Sequence, residues 1–138
     1  MAGKIIRMRR ITRAYVKANR DKAFVFGDNM RGIGFGGQAK AMRGEPNTIG
    51  VPTKHFPGTG AIACFTDEDM YLGSVAPKLD LAFRDMVAVL ESGHDVVIPL
   101  AGLGSGLAQL EVRAPRIDRC IKARIAELET KYGVSGEV

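Results

Sequence analysis

Lys22 to Lys54, KAFVFGDNMRGIGFGGQAKAMRGEPNTIGVPTK, decides how the rest of the chain is read. Ala23 to Phe26 carries an apolar, aromatic run that reads as a buried strand, and Gly27 lets the backbone leave it. Asp28 and Asn29 then stand at the strand's carboxyl end, the edge at which open α/β sheets bind their ligands. Gly32, Gly34, Gly36 and Gly37 strip side chains from the next turn, so backbone N–H groups can approach an oxyanion closely. A short helix expected over Gly37 to Met42 would add the positive end of its dipole. Four glycines within six residues sacrifice more chain entropy than any turn type requires, so the pattern implies a cradle for a phosphorylated small molecule, with a diphosphate as the best-fitting group.

Working outward, Ile5 to Met8 reads as a first strand, and Thr12 to Asn19 fits either a short helix or a continued strand. Thr48 to Val51 is β-branched, and Ala61 to Phe65 resembles a further short strand followed by a turn that Thr66 and Asp67 can cap. Val75, Leu79, Phe83, Met86 and Leu90 make one stripe of a helix over Val75 to Glu91. Asp95 to Leu100, DVVIPL, is a dense apolar run typical of a strand covered on both faces. A second glycine-rich loop, AGLGSGLAQL, follows it, and Pro115 to Lys131 forms the last helix, with Gly133 past its end. Strands alternating with helices predict an α/β sheet covered on both faces, in a single domain over residues 1–138. If the two loop-bearing strands are neighbours, both loops converge on one ligand.

The composition is that of a folded globular protein: 138 residues, 46% hydrophobic and 25% charged. With no apolar run near the length of a membrane span and no signal-like amino terminus, a cytoplasmic protein without membrane contact is expected. Cys64 and Cys120 have no CxxC spacing and are expected reduced. His55 and His94 lack partners at ligand spacing, so neither a metal nor a cofactor is expected. Residues 1–54 carry net charge +9 and residues 55–138 net −4. That field favours an anionic ligand, a nucleotide or a nucleic-acid backbone, unless Arg7, Arg9, Arg10 and Arg13 merely form a solvated edge.

Familiar motifs fail on context. Gly32, Gly34 and Gly37 match GxGxxG, but four residues separate the strand from the first glycine, and Thr53 and Lys54 stand where an acid should hold a ribose. Gln38 and Ala39 replace the Lys and Ser or Thr of a P-loop. Ser105 between Gly104 and Gly106 has the wrong register for a nucleophile elbow and better suits a backbone donor.

The residues instead resemble the macrodomains, a family that binds ADP-ribose, and within it the branch of antitoxin and terminal-ADP-ribose hydrolase proteins. The likeness rests on Asn29, Gly34, Gly36, Gly37, Ala39, Thr53 and Lys54, and on Ile98, Pro99, Gly104, Ser105, Gly106, Leu107 and Leu110 in the second loop. It covers residues 24–56 and 96–112. The resemblance implies a three-layer α/β/α sandwich with a mixed central sheet. It further implies Asn29 on the distal ribose, the amides of Gly34 to Gly37 and of Gly104 to Leu107 on the diphosphate, and Lys54 with Asp28 near the reactive carbon.

Two departures matter. The family's adenine-reading Asp has only Asp21 as a candidate, and its second-loop acid is replaced by Ala108. Gln38 and Arg43 either reach the ligand or lie on a solvated helix face. The resemblance implies an ADP-ribosyl hydrolase acting on a modified protein or nucleic acid, or a module that only sequesters the nucleotide. A basic nucleic-acid-binding domain is the third reading, although Tyr15 is the only aromatic in the first 23 residues.

Overall fold

The computed structural model describes residues 1–136 apart from 59, 72 and 107. Five strands, β1 (Ile5–Met8), β2 (Ala23–Asn29), β3 (Thr48–Lys54), β4 (Val96–Pro99) and β5 (Val134–Ser135), form one sheet in the order β3-β2-β4-β1-β5. Every pairing is parallel. The expected mixed sheet is therefore corrected. Among the described residues successive strands are joined by crossovers that carry helices and return the chain to the same end, and such connections give parallel neighbours.

The strands bury alternate residues on opposite faces. Ala23, Val25, Val96 and Ile98 pack with α3 (Val75–Glu91) and α5 (Pro115–Tyr132), through Leu79, Met86, Ile117 and Ile121. Phe24, Phe26 and Val97 pack on the other face with Val16 of α1 (Arg13–Ala18) and with Ala39 and Met42 of α2 (Ala39–Met42). Phe24 and Val25 are both fully buried, and each such side chain contributes roughly 1.5–3 kcal/mol over leaving it in water.

The connections β1 to β2 and β2 to β3 step toward one edge over the α1–α2 face. Those from β3 to β4 and β4 to β5 step back over the α3–α5 face, the arrangement that a single crossover hand demands. Neighbouring β2 and β4 therefore send their chains to opposite faces. Their carboxyl ends open a crevice between them, where doubly wound sheets hold ligands.

Several element boundaries move for local reasons. Strand β2 continues through Gly27 to Asn29, with a register shift at Asp28 and Asn29, because β3 keeps pairing with it as far as Lys54. Helix α2 begins at Ala39, since Gly37 takes φ +56°, outside the helical region. Thr12 caps α1 by accepting from the Tyr15 amide at 3.1 Å, which settles that segment as helix. The strand expected over Ala61 to Phe65 is instead a 3₁₀ turn, Ala61–Ala63, with a lone antiparallel bridge between Cys64 and Lys54. The chain doubles back on the end of β3 there, and only one residue pair comes into register. A one-turn helix, α4 (Leu110–Arg113), and the two-residue β5 also lie where only loop was expected.

Much of the basic first half is tied to carboxylates. Arg7 meets Glu129 of α5 at 3.0 Å, joining the positive half to the negative one. Glu45, just after α2, accepts from Arg13 at 2.7 Å and from Arg20 at 2.8 Å. Arg7 and Arg13 thus hold the fold rather than form a solvated edge. Hydrogen bonds from Arg20 and then Arg13 hold the Glu45 carboxyl below its ordinary range. A depressed carboxyl adds stability that is complete above the ordinary glutamate range and is lost as pH falls through the lowered value. Urea unfolding should therefore find Glu45→Gln less stable than the parent near about pH 7, with a smaller gap once the pH is taken below the ordinary glutamate value of about 4.3. An equal gap at both values would contradict this assignment.

Candidate functional site

The crevice between β2 and β4 is a cleft of about 250 Å³. One wall is the loop after β2, from Asn29 to Gln38. The second is the loop after β4, with Gly104, Ser105, Gly106 and Ala108, and the third is the end of β3 with Lys54, Pro57 and Gly58. Asp28, Asn29, Gly34, Gly36, Gly37, Gln38, Lys54, Gly104, Ser105 and Gly106, all singled out from the sequence, line this one cleft. Leu107 lies outside the described residues. Asp21 precedes the amino end of β2, at the opposite edge of the sheet from the cleft, and its side chain is 67% exposed.

Glycine draws the walls together. A Cβ on Gly27 would lie 3.3 Å from the Gly104 amide nitrogen and 3.3 Å from the Thr53 side chain. One on Gly104, at φ +78°, would come within 2.9 Å of Leu110 and 3.3 Å of the Thr53 methyl. Buried Thr53 donates to the Asp28 carbonyl at 3.1 Å and floors the cleft. Leu103, Ala108 and Leu110 are buried beneath the second loop, and the Leu110 amide donates to the Gly104 carbonyl at 3.0 Å. Ser105 and Gly106 stay exposed above them.

Several polar groups that look like ligand contacts in the sequence are engaged by the protein itself. Arg43 from the end of α2 pairs with both oxygens of Asp28 and donates to the carbonyls of Ile33 and Gly34. Both partners of this ion pair are only 15% exposed, so the contact is shielded from solvent screening. Asn29 donates to the Ile33 carbonyl at 2.8 Å and accepts from the Arg31 amide at 3.1 Å, the turn-forming role of Asn. Gln38 accepts from the Gly27 amide at 2.7 Å and donates to the Gly102 carbonyl at 2.9 Å, stitching the two loops. Lys54 donates to the Gly58 carbonyl at 2.8 Å, while His55 beside it meets Asp69 at 3.0 Å.

The backbone amides remain. Among the described residues, those of Gly34 to Gln38 and of Gly104 to Gly106 donate to no protein acceptor. Gly34 and Gly37 need their positive φ values of 90° and 56°. Gly36 and Gly106 have no such φ, and a Cβ on either would meet nothing within 4 Å. Neither conformation nor protein packing demands a glycine at those two positions. Helix α2 has only four residues, so its dipole adds little to the anion affinity of these amides.

A second cavity, of about 580 Å³, lies between α1, α2 and the end of β4 and shares Gly37 and Gln38 with the cleft. Among the described residues, no group of three or more His, Cys, Asp or Glu could hold a metal ion, and no helix is long and apolar enough to cross a membrane.

A family model described as a family of unknown function, DUF7831, matches residues 6–124. The chain belongs to that family. No curated protein and no solved structure matches it. The DUF7831 match includes all three walls of the cleft and the strands β2, β3 and β4 that carry them, and it ends before β5.

Sequence reading missed the clamp made by Arg43 and the stitch made by Gln38. Their partners are remote or on carbonyls, which leave no mark on composition. Ala on Gly104 meets both a positive φ and two close side-chain atoms, so Gly104→Ala should lower stability by about 1–3 kcal/mol. Gly36→Ala should change it by less than about 0.5 kcal/mol. Urea denaturation of the two variants checks both values, and equal costs would deny the distinction drawn between these glycines.

Proposed function

We propose that the cleft binds ADP-ribose or a related NAD-derived nucleotide, with its diphosphate held by the amides of the two glycine-rich loops. The observation that carries this reading is the pair Gly36 and Gly106. They stand on facing loops among unengaged amides, without a conformational or packing reason for lacking side chains. Close approach of an external oxyanion to the backbone supplies such a reason. The macrodomain-like arrangement of the loops over a covered α/β sheet belongs to the same proposal.

The cleft's volume of about 250 Å³ is below the roughly 300–1,000 Å³ of ordinary small-molecule sites. A diphosphate and one ribose suit it, and the nucleoside then extends past Gly37. Asn29 meets the distal ribose through whatever hydrogen-bonding capacity its turn leaves, and Gln38 acts by joining the walls.

Binding without turnover is the reading best supported. The Asp28 carboxylate is held by Arg43, and Ala108 offers no acid in the second loop. Removal of ADP-ribose from a protein or nucleic acid is the second reading, favoured by the position of Lys54. Its ammonium group lies in the cleft wall and is anchored only to the Gly58 carbonyl among the described residues. As a nucleophile toward an anomeric carbon, Lys54 would need to give up a proton first.

Calorimetric titration with ADP-ribose, AMP and NAD tests the ligand class. ADP-ribose should bind, and Gly36→Val should weaken it by about tenfold or more while leaving the fold intact. No binding of ADP-ribose overturns the proposal. Incubation with ADP-ribosylated protein and DNA then separates the two readings: intact substrate despite measurable binding supports sequestration, whereas release that disappears in Lys54→Ala establishes turnover.

A further inference from the structure

Arg43 is fixed from several sides before any ligand enters the cleft. All three guanidinium nitrogens are engaged, two of them on the oxygens of Asp28, with further bonds to the carbonyls of Ile33 and Gly34. Its Cζ lies 5.5 Å from the centroid of the Phe26 ring, so β2 supports the group as well. Room for the carboxylate comes from β3. A Cβ on Gly50 would stand 2.7 Å from Asp28 Oδ2 and 3.1 Å from the Asp28 Cβ, and Gly50 has no left-handed φ to require a glycine. Gly50 is not among the residues that line the cleft.

The carbonyl oxygens of a loop carry the negative end of each peptide dipole and oppose an approaching anion. Three of them in the first loop accept from side chains instead. Met30 accepts from the Lys78 ammonium of α3 at 2.9 Å, Ile33 from Arg43 and Asn29, and Gly34 from Arg43. A trans peptide sets each carbonyl opposite the amide of the next residue, so the Gly34 and Phe35 N–H groups are turned away from the guanidinium. Among the described residues neither has a protein acceptor. The same clamp thus takes up the repelling oxygens and leaves the donors free. Lysine at this position would keep the charge but not the planar fork that spans a carboxylate and two carbonyls.

We propose that Arg43 is a positioning residue for anion binding: held by Asp28, it keeps the first loop in its open-amide form and does not itself touch the phosphate. This rests on the diphosphate reading of the cleft, and it gives Asp28 and Gly50 the same indirect role. Arg43 also lines the cleft, so direct contact with the phosphate is the alternative that the experiment separates.

Calorimetric titration with ADP-ribose at low and high salt tests the proposal. A loop that holds its competent form about one-tenth of the time binds about tenfold more weakly, so Arg43→Lys should lose about tenfold, as much as Arg43→Met. Affinity in both variants should keep the parent's salt dependence, because no cation–phosphate contact has gone. Asp28→Asn removes a negative charge from the cleft wall, which alone would tighten anion binding, yet positioning requires it to weaken by about threefold or more. Gly50→Ala should weaken binding in the same way from outside the cleft, and these two variants carry the test if those at Arg43 do not fold. In the unliganded protein, the amide order parameters of Gly34 and Phe35 should fall in Arg43→Lys. Full affinity in Arg43→Lys with loss in Arg43→Met, or tighter binding in Asp28→Asn, makes Arg43 a ligand contact and overturns the proposal while leaving the cleft reading intact. No binding of ADP-ribose to the parent protein removes both.

Discussion

Gly27 and Gly104 approach too closely for either to gain a side chain without forcing its neighbours aside. That contact, over the buried methyl of Thr53, brings the ends of β2 and β4 together and makes two loops from distant parts of the chain into one cleft. The parallel sheet sets up the meeting, since β2 and β4 are neighbours whose chains leave toward opposite faces. The glycines complete it. With bulkier residues the same topology would still fold into a sheet, but its crevice would be filled by side chains and its loops held apart.

The charged and amide side chains around this cleft serve mainly to hold its shape. Arg43 ties Asp28 to the carbonyls of the first loop, Asn29 closes the same loop from within, and Gln38 joins it to Gly102. A site arranged in this way keeps its side chains as struts, and under the proposed function it would meet an anion with its backbone amides. Backbone amides cannot titrate and lose little entropy on binding, so they suit a ligand recognised by a phosphate's shape and charge. The struts also explain why residues of catalytic appearance offer little free acid–base capacity, with Lys54 as the exception worth following.

Charge elsewhere plays the same structural part. Arg7 reaches Glu129 across most of the chain and joins the positive first half to the negative second, while Glu45 gathers Arg13 and Arg20 within the first half itself.

Helices α3 and α5 and strands β1, β2 and β4 were legible because long apolar periodicities and dense apolar runs have few alternative conformations. Val134 and Ser135 were not, because a two-residue strand depends wholly on β1 lying beside it. Leu110 to Arg113 escaped notice because one helical turn follows Gln109, a non-glycine residue at φ +47°. By itself, the sequence determined that apolar strands would lead into two bare-backbone loops, since glycine spacing and hydrophobic pattern are local properties. Only the tertiary structure decided which polar groups those loops leave for a ligand. Gln38 meets Gly102 and Arg43 meets Asp28 through positions in space, and a hydrogen bond between remote residues has no signature until the chain has folded.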